Sequence, residues 1–282
     1  MSDITQIRAL IQREVRAYNE KNTSAIIRIE EGAKKRTVTG ILPEEFTSVI
    51  KLALLRRNIM LVGPAGCGKT FMAEKIAEAL DLSFSSISCT AGMSESQLLG
   101  WLLPTGDNGK FEYRAAPFIE AYENGGLFLL DELDAGDSNT LMILNQALSS
   151  NQFQIPQRLE NSTVKRHPDF VCIAACNTYG QGADMSYVGR NQLDAATLER
   201  VCANTVEMNY SPIVEDALIL PEVLVWGRNL RANIANAGIK RIVSTRVLLD
   251  ISLQVENFET TMEEWEEVFF MSWSEDEKSR IV

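Results

Sequence analysis

Residues 59–70 read IMLVGPAGCGKT. The spacing Gly63-x4-Gly68-Lys69-Thr70 fits G-x-x-x-x-G-K-[ST], a loop whose successive backbone N–H groups curl around a phosphate. The apolar run Ile59 to Val62 predicts a short buried strand ahead of the loop. FMAEKIAEAL (71–80), with Phe71, Ile76, Ala77 and Leu80 apolar, predicts a helix behind it, whose N-terminus adds the positive end of its dipole. Gly63, Pro64, Ala65, Gly66, Cys67 and Gly68 would supply backbone to a nucleotide. Lys69 would reach the β- and γ-phosphates, Thr70 would ligate Mg2+, and Phe71 closes the contacting run. The Cys67 backbone serves this loop, and oxidation of its thiol would block nucleotide.

A second constellation follows in GGLFLLDELDAGD, where Asp131-Glu132 ends an apolar strand. In a parallel sheet, ligands bind outside the carboxyl ends of the strands. Asp131 is then placed for the Mg2+ shell. Glu132, pointing the other way, is placed to orient and deprotonate a water attacking the γ-phosphate. Taken alone, the pair is also compatible with a charged turn. DFVCIAACNTYG ends a further apolar strand at Asn177, either a turn residue or an amide bonding the water and a γ-oxygen.

Arg200 closes QLDAATLERV (192–201), which predicts a short helix. Its planar guanidinium suits phosphate. It either enters a neighbour's site, if subunits form a ring, or pairs on the surface with Glu199 or Asp194. Arg246 in IVSTRVLLD opens a later helix and either contacts the γ-phosphate of its own subunit or lies on the surface. Arg190 in YVGRNQ is a lesser candidate for both roles.

These residues need elements to hold them. LPEEFTSVIKLALLRR (42–57) predicts an amphipathic helix leading into the first strand. Strands are predicted at 59–62, 82–88, 126–130, 169–176 and 204–208, alternating with helices. That pattern argues for an α/β fold with a parallel sheet covered on both faces. Past Tyr210-Ser211-Pro212 the pattern is helical. The division read from this is an N-terminal extension (1–40), a nucleotide-binding core (41–210) and a helical lid with an acidic C-terminal segment (211–282). The extension predicts a helix at 3–20 and a charged, strand-forming piece around AIIRIEEGAKKRTVTG.

Composition bounds the function. At 45% hydrophobic and 23% charged residues, the 282-residue chain is of soluble globular type. No apolar run approaches the roughly 20 residues of a membrane span, and MSDITQIRAL has no signal-peptide pattern. Cys67, Cys89, Cys172, Cys176 and Cys202 form no C-x-x-C pair and read as reduced residues of a cytoplasmic protein. His167, the single histidine, gives no zinc ligand set. The net charge of −11 is uneven: residues 1–40 carry eight Lys/Arg against five Asp/Glu, residues 255–282 nine acids against two bases. Such a chain is not built for non-specific duplex binding, although a local basic pore stays open.

Together GPAGCGKT, LFLLDELD, ACN, LDAATLERV and STR resemble the AAA+ ATPases, in the family's order. Within them, YVGRNQLDAATLERV is similar to the MoxR and magnesium/cobalt-chelatase branch, in particular the ATPase subunit of aerobic cobaltochelatase and its bacteriophage-encoded relatives. The resemblance covers roughly residues 40–250. It implies a three-layer P-loop core with strand order 5-1-4-3-2 and a small helical lid. It also implies ATP and Mg2+ as cofactors and a homo-oligomeric ring, usually hexameric, often partnered by a von Willebrand A-domain protein. The branch's insertion would fall within 92–118, and a hairpin within 153–170. Phe111 and Tyr113 either touch a substrate there or pack inside the hairpin. The chain reads Leu198-Glu199-Arg200 where many relatives have Leu-Asp-Arg.

The leading expectation is an ATP-hydrolysing remodeller of a protein partner. The alternatives are a nucleic-acid motor and a nucleotide-gated scaffold with little turnover.

Overall fold

In the computed structural model the described residues are 25–31, 34–106, 109–158, 160–183, 187–258 and 260–281. The helix expected at 3–20 lies outside them. They begin with an antiparallel hairpin of β1 (Ala25–Glu31) and β2 (Lys34–Gly40). Helix α1 (Phe46–Leu54) buries Phe46, Val49, Ile50 and Ala53, the spacing of one helical face. It is shorter than its amphipathic stretch because Arg56, at φ 54°, turns the chain out of the helix. Strand β3 (Ile59–Val62) follows, buried at all four positions, and then α2 (Lys69–Leu80). Asp81 adopts a left-handed conformation and the Leu82 N–H bonds back to Ala77 O, so β4 (Phe84–Ser88) starts two residues later than expected.

The insertion is α3 (Glu95–Leu99), opened by a Ser94–Gln97 capping box, and a hairpin of β5 (Gly100–Pro104) and β6 (Phe111–Ala115). Tyr113 packs inward, its hydroxyl donating to Leu99 O and its ring 5.1 Å from the Arg158 guanidinium. Phe111, Trp101 and Leu103 stay 54%, 40% and 47% exposed. Next come α4 (Pro117–Asn124), β7 (Gly126–Asp131), a 3-10 turn at Leu133–Ala135 and α5 (Ser138–Ser149). A second hairpin, β8 (Gln152–Gln154) with β9 (Thr163–Lys165), leads to β10 (Phe170–Cys176), α6 (Ala195–Cys202) and β11 (Thr205–Glu207).

The central sheet runs β11-β3-β10-β7-β4, every pairing parallel. Counted along the chain this is the expected order 5-1-4-3-2. Alternate residues of each strand feed opposite faces. Met60, Val62, Phe128, Leu130 and Cys172 pack under α4 and α5. Ile59, Leu61, Leu127, Leu129 and Ile173 pack under α1 and α2. The result is a three-layer α/β core whose first face is filled by Phe118, Tyr122, Phe128 and Phe170 in mostly edge-to-face contact.

Beyond the sheet lie α7 (Pro212–Leu218), α8 (Pro221–Ala237), α9 (Thr245–Phe258), α10 (Met262–Phe270) and α11 (Glu275–Ile281). They share a smaller core around Val223, Leu230, Leu248, Ile251 and Trp273. Among the described residues no helix is long and apolar enough to cross a membrane.

Candidate active site

The loop between β3 and α2 turns through two glycines at positive φ, Gly66 (72°) and Gly68 (97°). A Cβ on Gly66 would also fall 2.6 Å from Ser244, so the loop passes the start of α9 too closely for any side chain. Lys69 follows at the helix start and is buried. Its ammonium donates to Gly63 O (2.7 Å), Pro64 O (3.0 Å) and Asn177 Oδ1 (2.8 Å). Burial pushes its pKa down from the ordinary lysine value, against the pull of Asp131 and Asp134.

The Thr70 hydroxyl donates to Asp131 Oδ2 at 2.9 Å, and Asp131 Oδ1 accepts the Glu132 N–H at 3.0 Å. Both carboxylate oxygens of Asp131 are thereby oriented. Glu132 sits at φ 53°, ψ 41°, a left-handed conformation that costs a non-glycine residue on the order of 1–2 kcal/mol. That turn ends β7 abruptly and swings Glu132 away from Asp131. Two residues on, the Asp134 carboxylate is fully buried, and its Oδ2 accepts from Asn177 N, Thr178 N and the Thr178 hydroxyl at 2.8–3.0 Å. Asp134 thus pins the end of β10, which holds Asn177 beside Lys69.

A cavity of about 990 Å³ opens over these groups. Ala65, Gly66, Cys67, Gly68, Lys69, Thr70 and Phe71 line it, with Asp131, Glu132 and Asn177. Val214, Leu218, Leu249 and Leu253 supply an apolar wall from the helices, and Arg246 reaches its rim. Arg246 is exposed and has no hydrogen bond or ion pair among the described residues. Of the residues singled out in the sequence, Gly63 and Pro64 do not line the cavity, since their carbonyls face the Lys69 ammonium. Burial raises the Cys67 thiol pKa, against the pull of the Lys69 ammonium.

Arg200 is elsewhere. From α6 its guanidinium donates to Asn145 O (2.9 Å), the Ser149 hydroxyl (3.1 Å) and Ala196 O, with Glu199 at 3.9 Å. None of these lines the cavity.

Two participants, Tyr187 and Tyr210, escaped the sequence reading. Tyr187 accepts the Ala65 N–H at 2.8 Å, and Tyr210 donates to Ala65 O at 3.1 Å. Arg190, considered only as a phosphate ligand, instead donates to Glu132 Oε1 at 3.0 Å, with its Nε 3.7 Å from Asp134 Oδ1. No periodicity marks such contacts; the repeated acids of Asp131-Glu132-Leu133-Asp134 were the one signal for Asp134.

Known proteins are similar to this chain. An uncharacterized protein of Staphylococcus saprophyticus is 26% identical over 221 residues, covering 73% of this chain and 81% of its own length. Its counterpart in Staphylococcus haemolyticus is 27% identical over the same shares. A crystal structure from Cytophaga hutchinsonii, of a protein provisionally assigned as an ATPase, superposes with a TM-score of 0.47 at 20% identity. That superposition covers 76% of this chain and 59% of the other, less than two thirds of its length. The profile of the AAA domain, dynein-related subfamily, matches residues 58–201, which run from the strand before the phosphate loop through Arg200 and span just over half the chain. The chain therefore belongs to the AAA domain family, in its dynein-related subfamily, and is a nucleotide-binding P-loop ATPase.

Proposed function

We propose that this chain is a Mg-ATP-driven ring ATPase of the MoxR and chelatase branch, hexameric as that branch usually is, acting in the cytoplasm to remodel a protein partner such as a von Willebrand A-domain protein. The motif set GPAGCGKT, LFLLDELD, ACN and YVGRNQLDAATLERV supports the branch. In this reading Lys69 and the loop N–H groups hold the phosphates, and Arg246 reads the γ-phosphate from the helices. Glu132 takes the proton of the attacking water, which Asn177 helps to orient. The Thr70 hydroxyl and Asp131, adjacent at 2.9 Å, offer the hard oxygen donors that suit Mg2+. When bound, the ion neutralises charge developing on the phosphates.

The observation that carries the ring is the position of Arg200. It bonds to the far end of α5 and to its own helix, away from the cavity of its own chain. An arginine there serves hydrolysis only by entering a neighbour's site, a contribution worth roughly 10³–10⁵ in rate. Arg200→Ala and Glu132→Gln should each bind ATP and each fail to turn it over. Mixed, they should recover activity at interfaces that pair an intact Glu132 with an intact Arg200. Turnover of the mixture, with mass by light scattering with and without ATP, is the measurement. No recovery, with a monomer mass in every nucleotide state, would dismiss the ring.

A further inference from the structure

Helix α9 runs past the cavity from its phosphate end toward its apolar wall. It starts against the phosphate loop: a Cβ on Gly66 would fall 2.6 Å from Ser244 Cβ and 3.5 Å from Arg246 Cβ. Arg246, Leu249, Asp250 and Leu253 then line the cavity at the spacing of one helical face. Asp250 stands one turn beyond Arg246, about 5.4 Å along the axis, and Leu253 nearly another turn on. The neighbouring wall from α7, Val214 and Leu218, is apolar. The cavity is therefore graded along α9, with polar groups at the loop, a carboxylate in the middle and hydrocarbon beyond.

Asp250 contributes no bond to the fold. It is exposed, and it has no hydrogen bond or ion pair among the described residues. Arg246, four residues earlier, does not pair with it, although that spacing brings side chains together on a helix. The other acids of the cavity, Asp131 and Glu132, end β7 beside Thr70 and so belong to the phosphate end. A further carboxylate near a triphosphate only repels it, unless another part of the ligand donates to that carboxylate.

A nucleoside triphosphate carries its sugar between its phosphates and its base. With the phosphates at the loop and the base against Leu218 and Leu253, the sugar falls at Asp250. Ribose offers two adjacent hydroxyl donors there, and a carboxylate offers two acceptor oxygens. Dinucleotide-binding folds read the same sugar with an acid.

We infer that Asp250 determines sugar specificity: its carboxylate accepts from the 2′- and 3′-hydroxyls of ribose, so the site prefers ribonucleotides to 2′-deoxyribonucleotides. These bonds are charge-assisted. Arg246, one turn nearer the loop, offsets the repulsion between Asp250 and the phosphates. This rests on nucleotide occupying the cavity, the reading given above, and adds which sugar the cavity takes.

The test is calorimetry on the full chain with ADP, 2′-deoxy-ADP and GDP, comparing the wild type with Asp250→Ala. Alanine is the better helix former at an exposed helical position, so the variant should fold, and equal melting temperatures check it. The wild type should bind ADP about tenfold more tightly than 2′-deoxy-ADP, the lower end for hydrogen bonds to a charged group. In Asp250→Ala that preference should vanish through loss of ADP affinity. Asp250→Asn keeps one acceptor oxygen and should fall between the two. KM for ATP against 2′-deoxy-ATP should follow the same ratios, while kcat should not distinguish the sugars. Equal affinity for ADP and 2′-deoxy-ADP in the wild type would overturn the assignment, as would a preference that survives Asp250→Ala. A variant that loses both sugars equally would make Asp250 a partner of Arg246, and one that shifts only the ratio of ADP to GDP would put it against the base; either result rejects the ribose contact. A wild type that binds none of the three would reject the nucleotide cavity as well.

Discussion

The sheet and the helices beyond it hold their polar groups in opposite ways. In the sheet, β3, β7 and β10 are almost wholly buried and apolar, and charge enters only at their carboxyl edge. Packing from two faces fixes the strand ends, and hydrogen bonds merely trim the side chains there. In the helical part the buried charge is central. Glu215, 1% exposed, accepts from Arg231 at 2.7 and 3.1 Å and from the Thr245 hydroxyl at 2.7 Å, with Arg228 at 3.6 Å. That one carboxylate ties α7, α8 and α9 together. Close packing is non-directional and resists displacement everywhere; a charge hub is directional and releases when one partner is drawn off. The carboxyl edge of the sheet, which carries the candidate site, is thus built on the stiffer part, and the wall that closes the cavity on the more adjustable one.

Breaking the packed part should have the largest effect. Phe118 is fully buried and sits 5.2 Å from the Phe128 ring. Phe118→Ala should cost about 4 kcal/mol of global stability, read by denaturant melting. At the carboxyl edge of the sheet, Lys69→Ala should weaken ATP binding by about 3 kcal/mol, roughly a hundredfold, in calorimetry, with melting little changed. Unchanged affinity would remove Lys69 from the phosphate site.

Unpairing the hub should cost less than opening the sheet core, and locally. Arg231→Met leaves Glu215 buried with a poorer partner and should lower helical-part stability by about 2–3 kcal/mol. Hydrogen exchange should rise in α7 to α9 before it rises in the sheet. Burial works to raise the Glu215 pKa, but the bonds from Arg231 and Thr245 outweigh it and hold it below the ordinary glutamate value. Its contribution is present above the unfolded value of about 4.3 and fades as pH falls toward the lower folded one. The helices should therefore loosen in acid, and Arg231→Met should flatten that dependence. The smallest effect belongs to Glu277, half-buried at the surface, whose pKa the Arg241 guanidinium holds down to about 2. Glu277→Gln should barely move the melting temperature at neutral pH and erase only a slight loss between about pH 4.3 and the folded value.

Much of the core was legible. Ile59–Val62, Gly126–Leu130 and Asp169–Cys176 announce themselves as short apolar runs ended by turn or charged residues, because a strand covered on both faces needs no polar side. Element ends were less so. Leu82 reads as the start of a strand, yet its N–H closes the helix before it, a choice made by the left-handed Asp81. Within the site, Lys69, Thr70 and Asp131 were legible because a phosphate loop and a strand-end acid fix their own surroundings. The grip of Arg190 on Glu132 spans 58 positions and starts from an irregular segment. Its partner follows from the path of a loop, which no repeat in the sequence encodes.

The hairpin of β5 and β6 has a consequence for how the protein behaves in bulk. Trp101, Leu103 and Phe111 present apolar surface on a two-stranded ribbon, the kind of edge through which chains adhere. The net charge of −11 opposes that adhesion by mutual repulsion between molecules. Salt shortens the range of repulsion, to about 8 Å at physiological ionic strength, and leaves hydrophobic attraction intact. Colloidally, the chain is a short-range sticky particle in a long-range repulsive shell: added salt drives it toward association, and dilution into low-salt buffer disperses it.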